Sequence, residues 1–267
     1  MMLERYEQNG LILYRSPLLH TIGVPHAFTT RYGGVSSPPF ASLNLGTVGG
    51  SAIQDPNENL RENYRRLHAA IGCGQREHCG VRQVHGSTVR IALRGKPFEN
   101  GVAADALLSN DPSRTVGIKY ADCVPILLAN DDGTAVAAVH AGWRGILAGV
   151  LPRAVTELRN FTTGSPRLLA AVGPCISTDA FEVGPEVVAG FVKHFGSAAP
   201  IHKKGDKPHV DLRQAVLLQL QTHGISRENI DLTDRCTFAS SDEFFSHRRD
   251  GMLTGRMAAV IGCKDRT

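Results

Sequence analysis

The sequence predicts an α/β protein of the α+β layered kind, a single domain over residues 1–267 with a central mixed β-sheet flanked by helices. Three observations carry that expectation. Short apolar runs outnumber helical patterns and often succeed one another with no helix between them, which argues against a regular βαβ alternation. Two segments, starting near Asp55 and near Asp211, space their apolar residues as amphipathic helices do. Neither a GxGxxG nor a Walker-type phosphate loop occurs, so a Rossmann or P-loop architecture, and with it NAD or ATP use, has no support.

In chain order, residues 11–15 and 24–30 read as short strands, and the Gly-, Pro- and Ser-rich segment 31–46 as an ordered loop. Asp55 before Pro56 suits an N-cap and first helical position, and Leu60, Tyr64, Leu67 and Ile71 continue at helical spacing until Gly72. Residues 81–84 and 88–93 read as strand segments around His85 and Gly86, which places the QVHG phrase at a strand end or bulge. Further strands are expected at 104–109, 115–120, 124–129 and 135–139, before a helix from about 144 to 159 that Pro152 kinks or divides. A strand at 167–172 runs into the turn GPCIS. Residues 185–195 and 211–223 read as helices, the second closed by Gly224, and a polar, Arg-rich loop precedes a last strand at 256–263.

Composition is that of an ordinary globular protein, 42% hydrophobic and 20% charged. Lys and Arg total 29 against 25 Asp and Glu, a net charge of +4 without a long basic run. No nucleic-acid or membrane partner is announced, and no obligate protein partner is evident. The polar first ten residues lead into only a short apolar run, so neither a signal peptide nor a transmembrane helix is expected, and a cytoplasmic location is. The six cysteines form no CxxC pair, which in a reducing compartment argues for thiols.

Chemistry concentrates in YADCVPILLANDDGTAVAAVHAGWRG, residues 120–145. Cys123 opens one apolar run, and His140 closes the next as it enters a Gly-rich turn with Trp143 and Arg144. A thiol and an imidazole on neighbouring strands make either a metal site or a nucleophile and base pair. His85 of QVHG is a third residue of a zinc-ligating type, and two imidazoles with one thiolate leave a fourth tetrahedral position open, as a catalytic zinc requires. The intervals of 38 (123 minus 85) and 17 (140 minus 123) match no compact zinc-finger pattern, so spacing leaves both readings open. Asp122, facing away from Cys123 if both lie on a strand, is a candidate to hydrogen-bond a ligand histidine or to act as acid or base. Arg31, Arg144, Arg248 and Arg249 lie in predicted loops near glycines, where bidentate donors can hold phosphate. His247, in SHRRDG, reads equally as a residue facing a substrate and as part of a polar loop.

The phrases TTRYGGVSSPPFASLNLG, QVHG, ADALLS, ADCVPILL, VHAGWRG, VGPCIS with FEVG, DLR at 211–213 and RRDGMLTGR follow in that order from Thr29 to about Cys263. In them the chain resembles the YfiH family, zinc-dependent purine nucleoside enzymes formerly labelled multicopper polyphenol oxidoreductases or laccases. The resemblance implies a YfiH-like domain holding Zn2+ on His85, Cys123 and His140. It implies phosphorolysis of adenosine, inosine, guanosine and methylthioadenosine, and hydrolytic deamination of adenosine. Arg31, Asn44 and Arg248 become candidates for substrate binding, and Asp122 and Arg144 for the chemistry. The family is also linked to editing of peptidoglycan precursors, so an amidase using the same site is an alternative, as are a metal-free cysteine hydrolase built on Cys123 and His140 and a zinc-stabilised nucleoside-binding protein. A copper laccase is disfavoured because no HxH pair occurs. Two departures stand out: Thr47 to Ser51 where many relatives continue with a His-Val-Gly-Asp type sequence, and Ser246-His247-Arg248-Arg249 where they have Ser-Tyr-Arg-Arg.

Overall fold

Apolar runs with no alternating polar residue need cover on both faces, and these strands obtain it by stacking two sheets between helices. The computed structural model describes residues 1–162 and 166–265. Along the chain come β1 (Glu4–Gln8), β2 (Leu11–Arg15), α1 (Pro17–Thr21), β3 (His26–Thr29), α2 (Asn57–Ala70), β4 (Glu77–Gly80), β5 (Val89–Ala92), β6 (Ala106–Ser109), β7 (Arg114–Tyr120), β8 (Val124–Asn130) and β9 (Val136–Ala141). The second half adds α3 (Trp143–Ala148), α4 (Val150–Asn160), β10 (Leu168–Val172), α5 (Pro185–Phe195), β11 (Ile201–Lys204), β12 (Lys207–Val210), α6 (Leu212–Thr222), β13 (Ile230–Leu232), α7 (His247–Asp250) and β14 (Met257–Gly262).

The mixed α+β class is as expected, but the single central sheet divides in two. One sheet has the order β1-β2-β3-β14-β7-β4 and the other β13-β10-β8-β9-β6-β5, with β11 and β12 forming a separate hairpin. Each is mixed: β7 pairs antiparallel with β14 and parallel with β4, and β6 antiparallel with β9 and parallel with β5. Period-two alternation of side chains then sorts every strand. Leu127 and Ala129 of β8 meet Phe28, Val116 and Ile118 between the sheets. Ile126 and Leu128 point to the other face, against Leu151, Val155 and Leu158 of α4 and Val216 and Leu220 of α6. On the far side, Leu11, Leu13, Ala258 and Val260 of the first sheet pack on Leu67 and Tyr64 of α2. Four layers result, with α2 outermost on one side and α4 and α6 on the other.

Several expected boundaries move for local reasons. The helix expected over 144–159 is two helices, and the break is at Gly149, left-handed at φ 78, whereas Pro152 sits in the first turn of α4 where its missing N–H has no helical partner to lose. Asp211 caps α6 by accepting from the Gln214 N–H at 2.8 Å. Asp55 does not cap α2. Its carboxylate instead accepts from Ser36 Oγ at 2.6 Å and from Asn44 and Asn59 Nδ2, each at 2.9 Å, and so ties the 31–46 loop to the helix. Strands β1, β11 and β12 are short and largely polar, and no apolar alternation announces them. Among the described residues no helix is long and apolar enough to cross a membrane.

Two connections carry the chain from the first sheet to the second: β4 to β5 through residues 81–88, and β7 to β8 through residues 121–123. Each contains a non-glycine residue in the left-handed region, His85 at φ 58 and Asp122 at φ 90. Side chains rarely tolerate that conformation without support from their surroundings.

Candidate metal centre

The two crossings and the end of β9 converge. His85 comes from the first crossing, Cys123 from the second, and His140 from β9, where it pairs with Pro125. One ligand atom from each of the three lies within 4.8 Å of the others. The two imidazoles meet edge to face with centroids 4.9 Å apart. Gly142 makes this closeness possible, since a Cβ there would stand 2.9 Å from Cys123 Sγ and 3.0 Å from His85 Cδ2. No side chain fits in that space.

Asp105, just ahead of β6 and 0% exposed, organises the group. Its Oδ1 accepts from the His85 backbone N–H and from His140 Nδ1, both at 2.9 Å, and its Oδ2 accepts from the N–H groups of Gly86 at 2.7 Å and Val84 at 3.2 Å. The His140 backbone N–H in turn donates to the Asp105 carbonyl at 2.8 Å. One buried carboxylate therefore holds the left-handed turn at His85 and puts the proton of His140 on Nδ1, leaving Nε2 as the free donor atom toward the group. Burial pushes the Asp105 carboxyl up, but the bonds from His140 and the turn amides outweigh it and hold it below the usual carboxylate value. Burial likewise opposes ionisation of Cys123, yet the adjacent His140 and His85 bring the thiol below its ordinary value, and the thiolate with Asp105 raises His140. Each of the two groups thus favours the charged form of the other.

The group forms part of one wall of a cleft of about 640 Å³. Trp143, Ile176, Phe181 and Leu212 give it apolar surface, while Arg82, Lys119, Arg144, Arg248 and Arg256 supply positive charge. Arg144 lies over Trp143 at 4.3 Å. Arg248 lies over Phe181 at 5.2 Å and donates to the Glu182 carbonyl at 3.0 Å. Both are exposed at the mouth. His247, Thr47 and Gly49 also line it, so both departures from the family pattern fall on the cleft.

Arg31 and Asn44 are not brought there. Arg31 donates to the carbonyls of Ala41 and Ser241, each at 3.0 Å, and stacks over Phe245 at 4.7 Å. Asn44, fully buried, donates to Asp55 and accepts from the backbone N–H groups of Gly46 and Arg256. Loop residues of these types read as ligands in sequence, and here they hold the loop itself. Arg249 is equally committed, to the carbonyls of Thr237, Phe238 and Phe244, each at 2.8 Å. Asp122 does line the cleft, but it is not the histidine's partner: residues 121–123 form a bend, so strand alternation does not apply to it. Its Oδ1 accepts from the Thr237 hydroxyl and its Oδ2 from the Arg248 N–H, both at 2.7 Å, which pins the Arg248 segment to the second crossing. Sequence reasoning missed Asp105, whose phrase ADALLS carries a lone carboxylate at the head of a buried run. It also missed Lys119 and Arg256, which stand inside or beside strands and not in loops.

Residues 25–264 match the family model described as multi-copper polyphenol oxidoreductase laccase. The protein named purine nucleoside phosphorylase YfiH of Escherichia coli K12 is 42% identical over 240 residues, covering 90% of this chain and 93% of that protein. The chain belongs to the YfiH family. A purine nucleoside phosphorylase of Deinococcus radiodurans is 37% identical over 253 residues, 95% of this chain and 93% of the relative. The crystal structure of YlmD from Geobacillus stearothermophilus superposes with a TM-score of 0.86 at 30% identity, covering 99% of both chains. The YfiH-family description invokes several coppers, but among the described residues the His85, Cys123 and His140 group is the one set of such ligands close enough to hold an ion. Two imidazoles and a thiolate are a donor set of the kind that holds a single zinc or similar transition-metal ion.

Proposed function

We propose that this chain is a cytoplasmic, zinc-dependent purine nucleoside phosphorylase that also deaminates adenosine. The observation that carries the reading is the convergence of His85, Cys123 and His140 on a cleft whose volume, about 640 Å³, falls in the range of small-molecule sites. The names of the Escherichia coli and Deinococcus radiodurans relatives, both purine nucleoside phosphorylases, support the substrate class.

His85, Cys123 and His140 would hold the ion, and Asp105 keeps the His140 proton on Nδ1, away from it. When bound, such an ion supplies Lewis acidity at the open fourth position. Trp143, Ile176, Phe181 and Leu212 offer the flat purine apolar surface, while Arg144 and Arg248 at the mouth orient the polar parts of the substrate. In phosphorolysis a phosphate oxygen bonds to C1′ as the C1′–N9 bond breaks; the electron pair stays on N9, and the proton of hydrogen phosphate passes to the purine. In deamination water adds at C6 of adenosine and ammonia leaves. Asp122, with both carboxylate oxygens engaged, acts by holding the Arg248 segment in position.

Zinc-loaded protein should convert inosine and phosphate to hypoxanthine and ribose 1-phosphate, and adenosine to inosine. If neither reaction occurs at micromolar enzyme over hours, the reading fails. The lowered Cys123 thiol favours one second reading, a cysteine hydrolase with His140 as base. Activity that survives complete chelation would support it over the first.

A further inference from the structure

Lys119 and Arg256 are two of the five positive charges on the cleft and differ from the other three, which are exposed. Lys119 is on β7 and Arg256 immediately precedes β14. The register places Ala258 opposite Lys119, so Arg256, two residues away, shares the face of Lys119 as its diagonal neighbour. Gly46 sits against both stems. A Cβ there would lie 2.9 Å from Arg256 Cβ, 3.0 Å from Arg256 Cγ and 3.0 Å from Lys119 Cδ.

Both side chains are half-buried, and among the described residues neither is in an ion pair. Lys119 Nζ donates once, to the Val81 carbonyl at 3.3 Å. Arg256 Nη1 donates to the carbonyls of Thr254 and Gly255, and its Nε and Nη2 make no hydrogen bond among the described residues. The backbone beneath them is fixed. Gln83 accepts from the Lys119 N–H at 2.8 Å and donates to its carbonyl at 2.6 Å, and Asn44 accepts from the Arg256 N–H at 2.8 Å. Burial lowers both cations, and Arg256 lowers Lys119 further. The opposing charges that act on Arg256 are Asp122 and Cys123, and both Asp122 oxygens are already engaged. Two rigidly mounted, half-buried cations that repel each other are stabilised by an oxyanion between them.

We propose that Lys119 and Arg256 form an oxyanion subsite on the cleft wall and that inorganic phosphate, the second substrate of the phosphorolysis, occupies it. The assignment of phosphate rests on the phosphorylase reading; the oxyanion chemistry does not.

The test uses the full-length zinc-loaded protein, its Lys119→Gln and Arg256→Gln variants, and the charge-keeping Lys119→Arg and Arg256→Lys variants as a guard against misfolding. Phosphate binding without nucleoside is followed by calorimetry, and the wild type should gain thermal stability in phosphate but not in chloride of equal ionic strength. Each glutamine variant should raise the phosphate Kd and the phosphate KM about tenfold or more, as loss of a charge-assisted contact does. The inosine KM and the zinc content should stay near wild type, with partial rescue in the charge-keeping variants. Unchanged phosphate affinity in the glutamine variants overturns the subsite. Loss of zinc in step with phosphate overturns it too, by showing that the cations merely balance the Cys123 thiolate. Should the wild type turn over no nucleoside yet bind phosphate through these residues, the subsite stands and the phosphorylase reading falls.

Discussion

The two sheets meet at the cleft with opposite chemistry. The second contributes Cys123 at the head of β8 and His140 at the end of β9; the first contributes Lys119 on β7 and Arg256 beside β14. On the second sheet the polar groups are partnered before any ligand arrives. Asp105 spreads four hydrogen bonds over Val84, His85, Gly86 and His140. On the first sheet the backbone is held just as firmly while the head groups keep unused donors. On the proposed roles the difference has a physical reason: an ion needs fixed donor geometry, whereas an oxyanion needs uncompensated charge.

The sharpest way to break this contrast is at the ligand wall. Cys123→Ala should remove the metal and lower kcat/KM by more than ~100-fold, beyond what loss of a residue supporting a ligand costs. Metal analysis alongside turnover reads it, and full activity without metal would reverse the roles assigned here. Asp105→Asn should weaken metal binding by about 10- to 100-fold and destabilise the fold by about 1–3 kcal/mol, because a buried amide cannot accept from every N–H that the carboxylate served. Competition with a chelator and urea unfolding measure the two effects. Gly142→Ala should cost about 1–3 kcal/mol and lower metal affinity, since its methyl group must displace Sγ or the His85 ring.

The next prediction concerns protons. In the metal-free protein His140 is raised above the ordinary histidine value by Cys123 and Asp105, so the imidazolium persists where a free histidine would be neutral. Metal must displace that proton. Affinity should therefore climb as pH rises through the raised pKa, with about one proton released per ion in calorimetry across buffers; a flat profile would remove the thiolate and imidazolium pair. The smallest catalytic effect is expected at Arg31→Gln, which should cost about 1–2 kcal/mol through its lost carbonyl bonds and leave the phosphate and inosine KM values unchanged.

Much of the fold was legible because burial on both faces strips a strand of polar residues: β8 to β10 and β14 announce themselves in this way. Their division into two sheets was not, since an apolar run does not encode its pairing partner. In the site, His85, Cys123 and His140 stood out because few residue types hold metals. Asp105 did not, because accepting backbone N–H bonds leaves no pattern in sequence. Arg31 and Asn44 are the residue types that a ligand would use and also the types that a long irregular loop needs to satisfy its carbonyls and amides, which is where their hydrogen bonds go.

The two sheet-to-sheet crossings have a consequence for assembly. His85 and Cys123 occupy the segments where the chain leaves one sheet for the other, so their convergence reports that the sheets have docked in the right relation. An ion bound there acts as a clasp on that docking. By mass action it favours the folded chain by about 4 kcal/mol at a thousand times its Kd. Amide hydrogens of residues 81–88 and 121–123 should then exchange fastest when it is withdrawn, and on the proposed reading metal supply would set how much of this protein persists.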